Sequence, residues 1–265
     1  MNDIIRIENL NYKDIFKNFN LNIEKNSFIT ISGSNKCGKT TLSRILSGNI
    51  ETNNQIILER AYLNSYTFSE LYKEIGAVIP SDNINFIFNT VEEELIFILD
   101  NLGFDKESKK KRYKEIVKLL KLNKYLFNNP NNLYRNIRIK VELAIATISS
   151  PKILILDDIC SMMTKEETKE IMDLLKYFKE EENMTIIMTT DNLEETLYSD
   201  YLYILNDGKI LLQGKPLDVL KEDNTLNKLG LNIPFMIDLS VKLKDYDLID
   251  SIELDMDKLV NKLWK

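Results

Sequence analysis

The segment GSNKCGKTT at residues 33–41 has residue types and a spacing suited to binding phosphate groups. It fits the pattern GxxxxGK[ST], follows the apolar run SFITIS and opens a helical pattern that ends at Gly48. Glycines let backbone N–H groups turn toward phosphate oxygens at a helix N-terminus, whose dipole favours anions. The pattern therefore predicts a nucleotide-binding loop made of Gly33, Ser34, Asn35, Lys36, Cys37, Gly38, Lys39, Thr40 and Thr41.

A Mg²⁺ site is expected beside this loop. The mechanism of such loops assigns Lys39 to the β- and γ-phosphates and the Thr40 hydroxyl to Mg²⁺. Asp157 ends the apolar run ILIL at 153–156, and a carboxylate at the end of a buried strand suits the second metal ligand. Its alternative role is that of a helix N-cap after a strand. The chain lacks the Asn-Lys-x-Asp motif that reads guanine, so we expect ATP rather than GTP.

Composition excludes several other classes of function. The chain has 265 residues, a formal net charge of −6, no histidine and two cysteines. Its one dense basic run, KKKR at 109–112, precedes a helical repeat of apolar residues and is typical of a solvated helix face, so nucleic acid is not an expected partner. Cys37 and Cys160 are expected to be free thiols. We see no signal peptide and no apolar run near the ~20 residues that span a bilayer, so a cytoplasmic chain is expected.

The order of predicted elements indicates an α/β fold with a mainly parallel sheet. Three helical segments are expected around 90–102, 106–122 and 135–148, with Thr90 and Glu93 forming a capping box at the first. Strands are predicted on both sides of this block, and the last two form a hairpin at 201–214. We expect a core domain at 1–215 with a helical subdomain at about 90–148, and a small helical extension at 216–265 that forms a possible dimer contact. The strands are predicted at 4–7, 19–23, 27–32, 75–79, 152–158 and 184–190.

On these motifs the chain resembles the nucleotide-binding domains of ABC ATPases, which are P-loop NTPases. The tail at 229–264 is similar to that of ATPase subunits of energy-coupling factor (ECF) transporters, which drive uptake of vitamins and metal ions. The resemblance implies ATP and Mg²⁺ as cofactors and adenine stacking on Tyr12. It also implies a head-to-tail homo- or heterodimer with a second ABC-type ATPase, and peripheral attachment to the inner face of the cell membrane through a membrane scaffold subunit. Tyr12 could instead be a packed aromatic, and the apolar stripe of the tail could be ordinary core.

The chain departs from the ABC pattern at the positions linked to hydrolysis. The Leu-Ser-Gly-Gly-Gln signature is replaced by LYRNI at 133–137, and no Gly-Gly pair exists elsewhere. Pro80 replaces the glutamine that links Mg²⁺ to the transporter contact, and Asp191 replaces the switch histidine. Asp158 occupies the position of the catalytic glutamate with one methylene fewer, and we retain it as the candidate catalytic residue. Thr164 is expected to cap the next helix with Glu167.

The resemblance implies an ATP-binding subunit of an ECF-like importer for a micronutrient, and the replaced residues predict weak or absent hydrolysis of its own. Two alternatives remain open: a nucleotide-regulated assembly module without catalysis, and a soluble ABC ATPase not linked to transport. Arg135 could contact a partner's phosphate in place of the lost glycines, or could be a solvated helix charge.

Overall fold

A computed structural model describes residues 2–53, 55–79 and 86–264. Pro80, one of the positions singled out from the sequence, lies outside the described residues. No helix within the described ranges is both long enough and apolar enough to cross a bilayer.

A six-stranded sheet forms the centre of the molecule. Its strand order is β10-β9-β3-β8-β7-β6, with every neighbouring pair parallel except the β9–β10 hairpin. The central strands β3, β7 and β8 are buried at every position, as expected of parallel strands covered on both faces. The strands are β3 Phe28–Gly33, β6 Ile75–Val78, β7 Ile153–Asp157, β8 Thr185–Thr190, β9 Tyr201–Asn206 and β10 Lys209–Gly214.

A second, four-stranded antiparallel sheet has the order β2-β1-β4-β5. Buried and exposed residues largely alternate along β2, so that one face packs on the core and the other meets solvent. The sequence did not lead us to expect β4, β5 or the short helix α2 after them. The strands are β1 Asp3–Tyr12, β2 Phe16–Glu24, β4 Ile56–Leu58 and β5 Ala61–Tyr62.

The helices between residues 90 and 148 lie where the sequence predicts them. The three predicted segments are confirmed as α3, α4 and α5, and the Thr90–Glu93 and Thr164–Glu167 capping boxes are both present. The division into a core and a C-terminal extension stays a prediction. The helices are α1 Lys39–Leu46, α2 Phe68–Glu74, α3 Val91–Asn101, α4 Lys106–Leu119, α5 Arg135–Thr147, α6 Lys165–Glu181, α7 Pro216–Val219, α8 Asp223–Lys228, α9 Phe235–Asp245 and α10 Met256–Leu263.

Helix α1 is held between the two sheets by its apolar face. Leu42, Ile45 and Leu46 are fully buried in one cluster with side chains of β1, β2 and β3. A second cluster joins α3, α4, α5 and α6 to the other face of the large sheet. A third joins β9 to α7, α8 and α9. Burial on both sides thus fixes the N-terminus of α1 at the end of β3.

The turn between β9 and β10 packs directly against the segment that joins β1 to β2. Gly208 has a φ of +67°, and a Cβ added there would lie 1.7 Å from the Ile15 carbonyl oxygen. Its N–H donates to the carbonyl of Cys37 at 3.3 Å, inside the predicted phosphate loop. The Asn-Asp-Gly turn is therefore joined to the predicted phosphate loop by a backbone hydrogen bond.

Gly208→Ala should destabilise the protein by about 1–3 kcal/mol, because alanine disfavours this backbone conformation and its Cβ collides with a backbone atom. Gly103→Ala is the matched control, since Gly103 has a φ of +74° and none of the described residues beyond its two chain neighbours has an atom within 4 Å of the added Cβ. Urea unfolding of both variants measures the difference. Equal losses for the two would show that the Ile15 contact has no energetic consequence.

Candidate nucleotide site

A pocket of 320 Å³ opens where the parallel strands β3, β7 and β8 end. Ends of parallel strands are where α/β sheets bind ligands. Six of the predicted loop residues line the pocket together with Asp157, the last residue of β7, and Asp158, which follows it. The lining residues are Ile15, Asn35, Lys36, Gly38, Lys39, Thr40, Thr41, Asp157, Asp158 and Asp191.

The loop backbone turns tightly between β3 and α1. A Cβ on Gly33 would lie 2.0 Å from the Leu205 carbonyl oxygen, so the strand can leave the sheet here only without a side chain. Gly38 is the N-cap of α1 with a φ of +112°. Cys37 donates its N–H to the Ser34 carbonyl at 3.3 Å, and its side chain is buried. Burial raises the pKa of the Cys37 thiol, with Lys39 opposing the shift. Three of the predicted loop residues therefore do not line the pocket but determine the path of the loop backbone: Gly33, Ser34 and Cys37.

The Lys39 ammonium lies inside the loop. It donates to the carbonyls of Gly33 at 2.7 Å and Ser34 at 3.1 Å, and it forms an ion pair with Asp191 at 2.6 Å. The Lys39 side chain is 11% exposed and that of Asp191 is 52% exposed. An ammonium group has three donors, and these three oxygens match them.

The carboxylate predicted as a metal ligand is buried at the end of β7. One Asp157 oxygen accepts a hydrogen bond from the Thr189 hydroxyl on the neighbouring strand β8. Thr40, an exposed residue, lines the same pocket as Asp157. The structure therefore brings together the two side chains that the sequence assigned to Mg²⁺. Thr189 was missed, since a threonine inside a buried strand gives no signal of its own.

Asp158 is half-buried beside Asp157 and has a φ of +49°. Its N–H donates to the Thr189 carbonyl at 3.0 Å, which fixes the backbone. Burial raises the pKa of the Asp158 carboxyl, and the charges of Asp191 and Asp157 add to the shift, while Arg135 and Lys39 oppose it. Asp158 is thus placed in the pocket, and its catalytic role stays a prediction.

Tyr12 lies outside the residues that line this pocket. It is half-buried at the end of β1, packs against the cluster around α1, and has the Lys13 ammonium 5.2 Å from its ring centroid. Ile15 is the nearby residue that reaches the pocket wall. Adenine stacking on Tyr12 stays a prediction.

The segment LYRNI at 133–137 is tied to the loop after β7 within the same chain. Arg135 Nε donates to the Ser161 carbonyl at 3.0 Å, and Asn136 Nδ2 donates to Glu167 at 2.7 Å. Tyr134 is 86% exposed at the N-cap of α5 and Met162 is 95% exposed. One nitrogen of Arg135 is thus used inside its own chain, and a contact with a partner's phosphate stays a prediction.

Comparison with known proteins assigns the family. The model of the ABC transporter family matches residues 16–161, more than half of the chain. The chain is 32% identical over 272 residues to the energy-coupling factor transporter ATP-binding protein EcfA of Pediococcus pentosaceus, covering 100% of this chain and 97% of that protein. It is also 32% identical over 240 residues to EcfA1 of Ligilactobacillus salivarius, an alignment that covers 88% of this chain and 85% of that protein.

The chain belongs to the ABC transporter family, among the ATP-binding proteins of energy-coupling factor transporters. A solved structure supports the same placement: CbiO1 of Clostridium perfringens, described as part of an ABC transporter complex, matches with a TM-score of 0.75 and 26% identity over 90% of this chain and 99% of its own. The predicted α/β fold of the P-loop ABC type is confirmed.

This ABC chain also has an apolar groove of 650 Å³ between α2, β6, α3 and α5. Phe68, Phe97 and Ile98 are among its lining residues, together with two acidic residues, Glu94 and Glu142. Glu94 accepts a hydrogen bond from the Phe88 N–H at 2.7 Å, and burial raises the pKa of its carboxyl. The groove thus combines an apolar wall with acidic groups in its floor.

Glu142 is the buried carboxyl in this groove that sequence reasoning missed, although an acid within the run KVELAIA was a visible signal. It is 7% exposed, and Arg138 Nε lies 3.5 Å from it without forming a hydrogen bond. Among the described residues neither oxygen of Glu142 has a hydrogen-bond partner. Burial raises the pKa of Glu142 to about 7, against the opposing charges of Arg138 and Arg135.

Glu142→Gln should raise stability relative to the wild type as pH increases from 5 to 8. Between the ordinary glutamate pKa of about 4.3 and about 7, the folded state holds a proton that the unfolded state has lost, so wild-type stability falls with pH. The relative gain should be about 1–3 kcal/mol by urea unfolding at the two pH values.

Glu181→Gln, at an exposed position at the end of α6, is the control and should show no pH-dependent gain. A loss of stability in Glu142→Gln that is equal at both pH values would contradict the shifted titration.

Proposed function

We propose that this chain is an ATP-binding subunit of an ECF-type importer for a micronutrient, a vitamin or a metal ion, and that it binds Mg-ATP with weak or absent hydrolysis of its own. The observation that carries the proposal is the convergence of Lys39, Thr40 and Asp157 on one pocket at the N-terminus of α1. Full-length similarity to EcfA supports the transporter assignment.

The residues of the pocket fit a Mg-nucleotide. Gly38 caps α1 without a side-chain hydrogen bond, which leaves the first N–H groups of the helix available to a phosphate. Lys39 supplies the positive charge for the phosphates, and the Thr40 hydroxyl and Asp157 would hold Mg²⁺. Bound Mg²⁺ would offset the negative charge that builds up on the phosphates during transfer.

The groups that would activate water are poorly suited to fast hydrolysis. Asp158 is one methylene shorter than glutamate, and a misplacement of about 1 Å can cost about 100-fold in rate. Asp191 adds a negative charge beside the phosphate site rather than a donor that could stabilise developing charge. Arg135 and Asn136 stand at the positions of the paired glycines, which would allow close backbone approach to a partner's nucleotide, and the side chains of Tyr134 and Arg135 would crowd that approach. These substitutions support binding with slow turnover.

The proposed partners are a second ABC-type ATPase and a membrane subunit that attaches the chain to the inner face of the cell membrane. The groove between α2, β6, α3 and α5 is the proposed docking surface for the membrane subunit. Its apolar wall suits a partner helix, and Glu142, whose oxygens accept no hydrogen bond from the described residues, suits a cationic side chain on that helix. The choice of micronutrient would then rest with the membrane partners.

Mg-ATP should bind the purified chain, and Lys39→Ala should weaken binding by at least about tenfold, because charge-assisted hydrogen bonds to phosphate are lost. Lys176→Ala, which removes an exposed lysine of α6, is the control for charge and should leave the affinity unchanged. Isothermal titration calorimetry measures both. An unchanged affinity in Lys39→Ala would place nucleotide outside the proposed pocket.

Steady-state ATP turnover should be at or below about 0.1 per second for the chain alone, which is about 100-fold under a typical enzyme rate. Asp158→Asn should remove most of any residual activity if Asp158 orients the water. A phosphate-release assay, run with and without the second ATPase, makes the measurement. Turnover of tens per second from the chain alone would rule out the proposed defect.

A further inference from the structure

We propose that the Asp191 carboxylate is an internal competitor of nucleotide phosphate for the Lys39 ammonium, so that it lowers the affinity of the site and must be displaced when a nucleotide binds. This inference rests on the proposed function, since it concerns the same pocket. It assigns Asp191 the role of a positioning and affinity-setting residue.

The contact that carries the inference is the ion pair of 2.6 Å between Lys39 Nζ and Asp191 Oδ1. Lys39 is nearly enclosed, so its ammonium is shielded from water on most sides. Asp191 lies at the mouth of the pocket with about half of its side chain exposed. A carboxylate oxygen thereby occupies the position on the ammonium that faces an entering anion.

The two carbonyl partners of the ammonium are less easily displaced than Asp191. The carbonyls of Gly33 and Ser34 belong to the loop backbone, and Gly33 is held against Leu205 by the close approach of their backbones. Asp191 holds Lys39 through a rotatable side chain that solvent can reach. A phosphate oxygen that binds Lys39 therefore displaces Asp191 rather than a loop carbonyl.

The displaced carboxylate would remain close to other negative charges. Asp157 and Asp158 line the same pocket, and the charge of Asp191 contributes to raising the pKa of Asp158. Like charges in a partly buried site repel each other and the incoming phosphate. Both the lost ion pair and the new repulsion oppose nucleotide binding.

Hydrogen bonds in the turn after β8 hold the backbone next to Asp191. Asn192 donates its N–H to the Thr190 hydroxyl at 3.0 Å and accepts from the Glu194 N–H at 3.0 Å. These bonds fix the backbone on the C-terminal side of Asp191. The Asp191 carboxylate therefore stays close to the Lys39 ammonium and competes with any phosphate that approaches it.

The test compares the affinities of ADP without divalent metal and of Mg-ATP for four full-length proteins: wild type, Asp191→Asn, Asp158→Asn and Asp173→Asn. Asp158→Asn makes the same charge change in the same pocket, and within the described part of the chain Asp158 forms no ion pair with Lys39. Asp173→Asn makes that change at an exposed position of α6. Circular dichroism checks folding, and Asp191→Ser replaces Asp191→Asn if the latter does not fold.

Asp191→Asn should tighten ADP binding about three- to tenfold, the range for a charge-assisted hydrogen bond in a half-exposed pair. Asp158→Asn should tighten it by clearly less, and Asp173→Asn should leave it unchanged. An equal gain in ADP affinity in Asp191→Asn and Asp158→Asn would mean that any negative charge in the pocket weakens binding to the same extent. That result would overturn the inference. Unchanged or weaker binding in Asp191→Asn would overturn it as well.

Lys39→Ala separates this inference from the proposed function. If the wild type binds and Lys39→Ala does not, the proposed function stands whatever Asp191→Asn shows. If neither the wild type nor Asp191→Asn binds nucleotide up to millimolar concentration, both proposals fail. Binding that appears only in Asp191→Asn would support the inference and would contradict the proposed binding of Mg-ATP by the wild type.

Discussion

The phosphate loop exists in its observed shape because backbone atoms of three segments meet without side chains between them. Gly33 leaves β3 against the Leu205 carbonyl, and Gly208 brings the β9–β10 turn against the Ile15 carbonyl. The N–H of Gly208 reaches the Cys37 carbonyl, which connects that turn to the loop. Helix α1 then begins at Lys39, with its apolar face buried between the two sheets. Close packing on all sides therefore sets the direction in which Lys39 points.

The charges around this ammonium set what the site can do. Lys39 faces three carboxylates, of which Asp157 is buried and bonded to Thr189, Asp158 is half-buried, and Asp191 is directly paired with the lysine. An excess of negative charge suits a site that takes its phosphates together with a divalent cation. It is less suited to stabilising the additional charge that develops when the terminal phosphoryl group is transferred. This balance of charges supports the proposal that the site holds nucleotide and cleaves it slowly.

Much of the fold and of the site could be predicted from the sequence, because local patterns encode them. The strand-loop-helix order around GSNKCGKTT, the carboxylates after β7 and the three helices from α3 to α5 all carry such patterns. The sequence did not reveal that Asp191 pairs with Lys39. A single acidic residue after β8 indicated only that the switch histidine of the ABC pattern is replaced. It likewise missed the burial of Glu142 and the sheet pairing of β4 with β1, which depend on contacts between segments far apart in the chain.

The most direct test of the central claim is a single-turnover measurement of the nucleotide held by the protein. The purified chain is loaded with Mg²⁺ and ATP labelled at the γ-phosphate, chased with unlabelled ATP, and sampled over time for labelled ATP, bound and released, and for labelled phosphate. The account predicts that most of the bound label leaves as intact ATP, because release outpaces cleavage. Conversion of the bound ATP to ADP and phosphate before release, at tens per second, would contradict it.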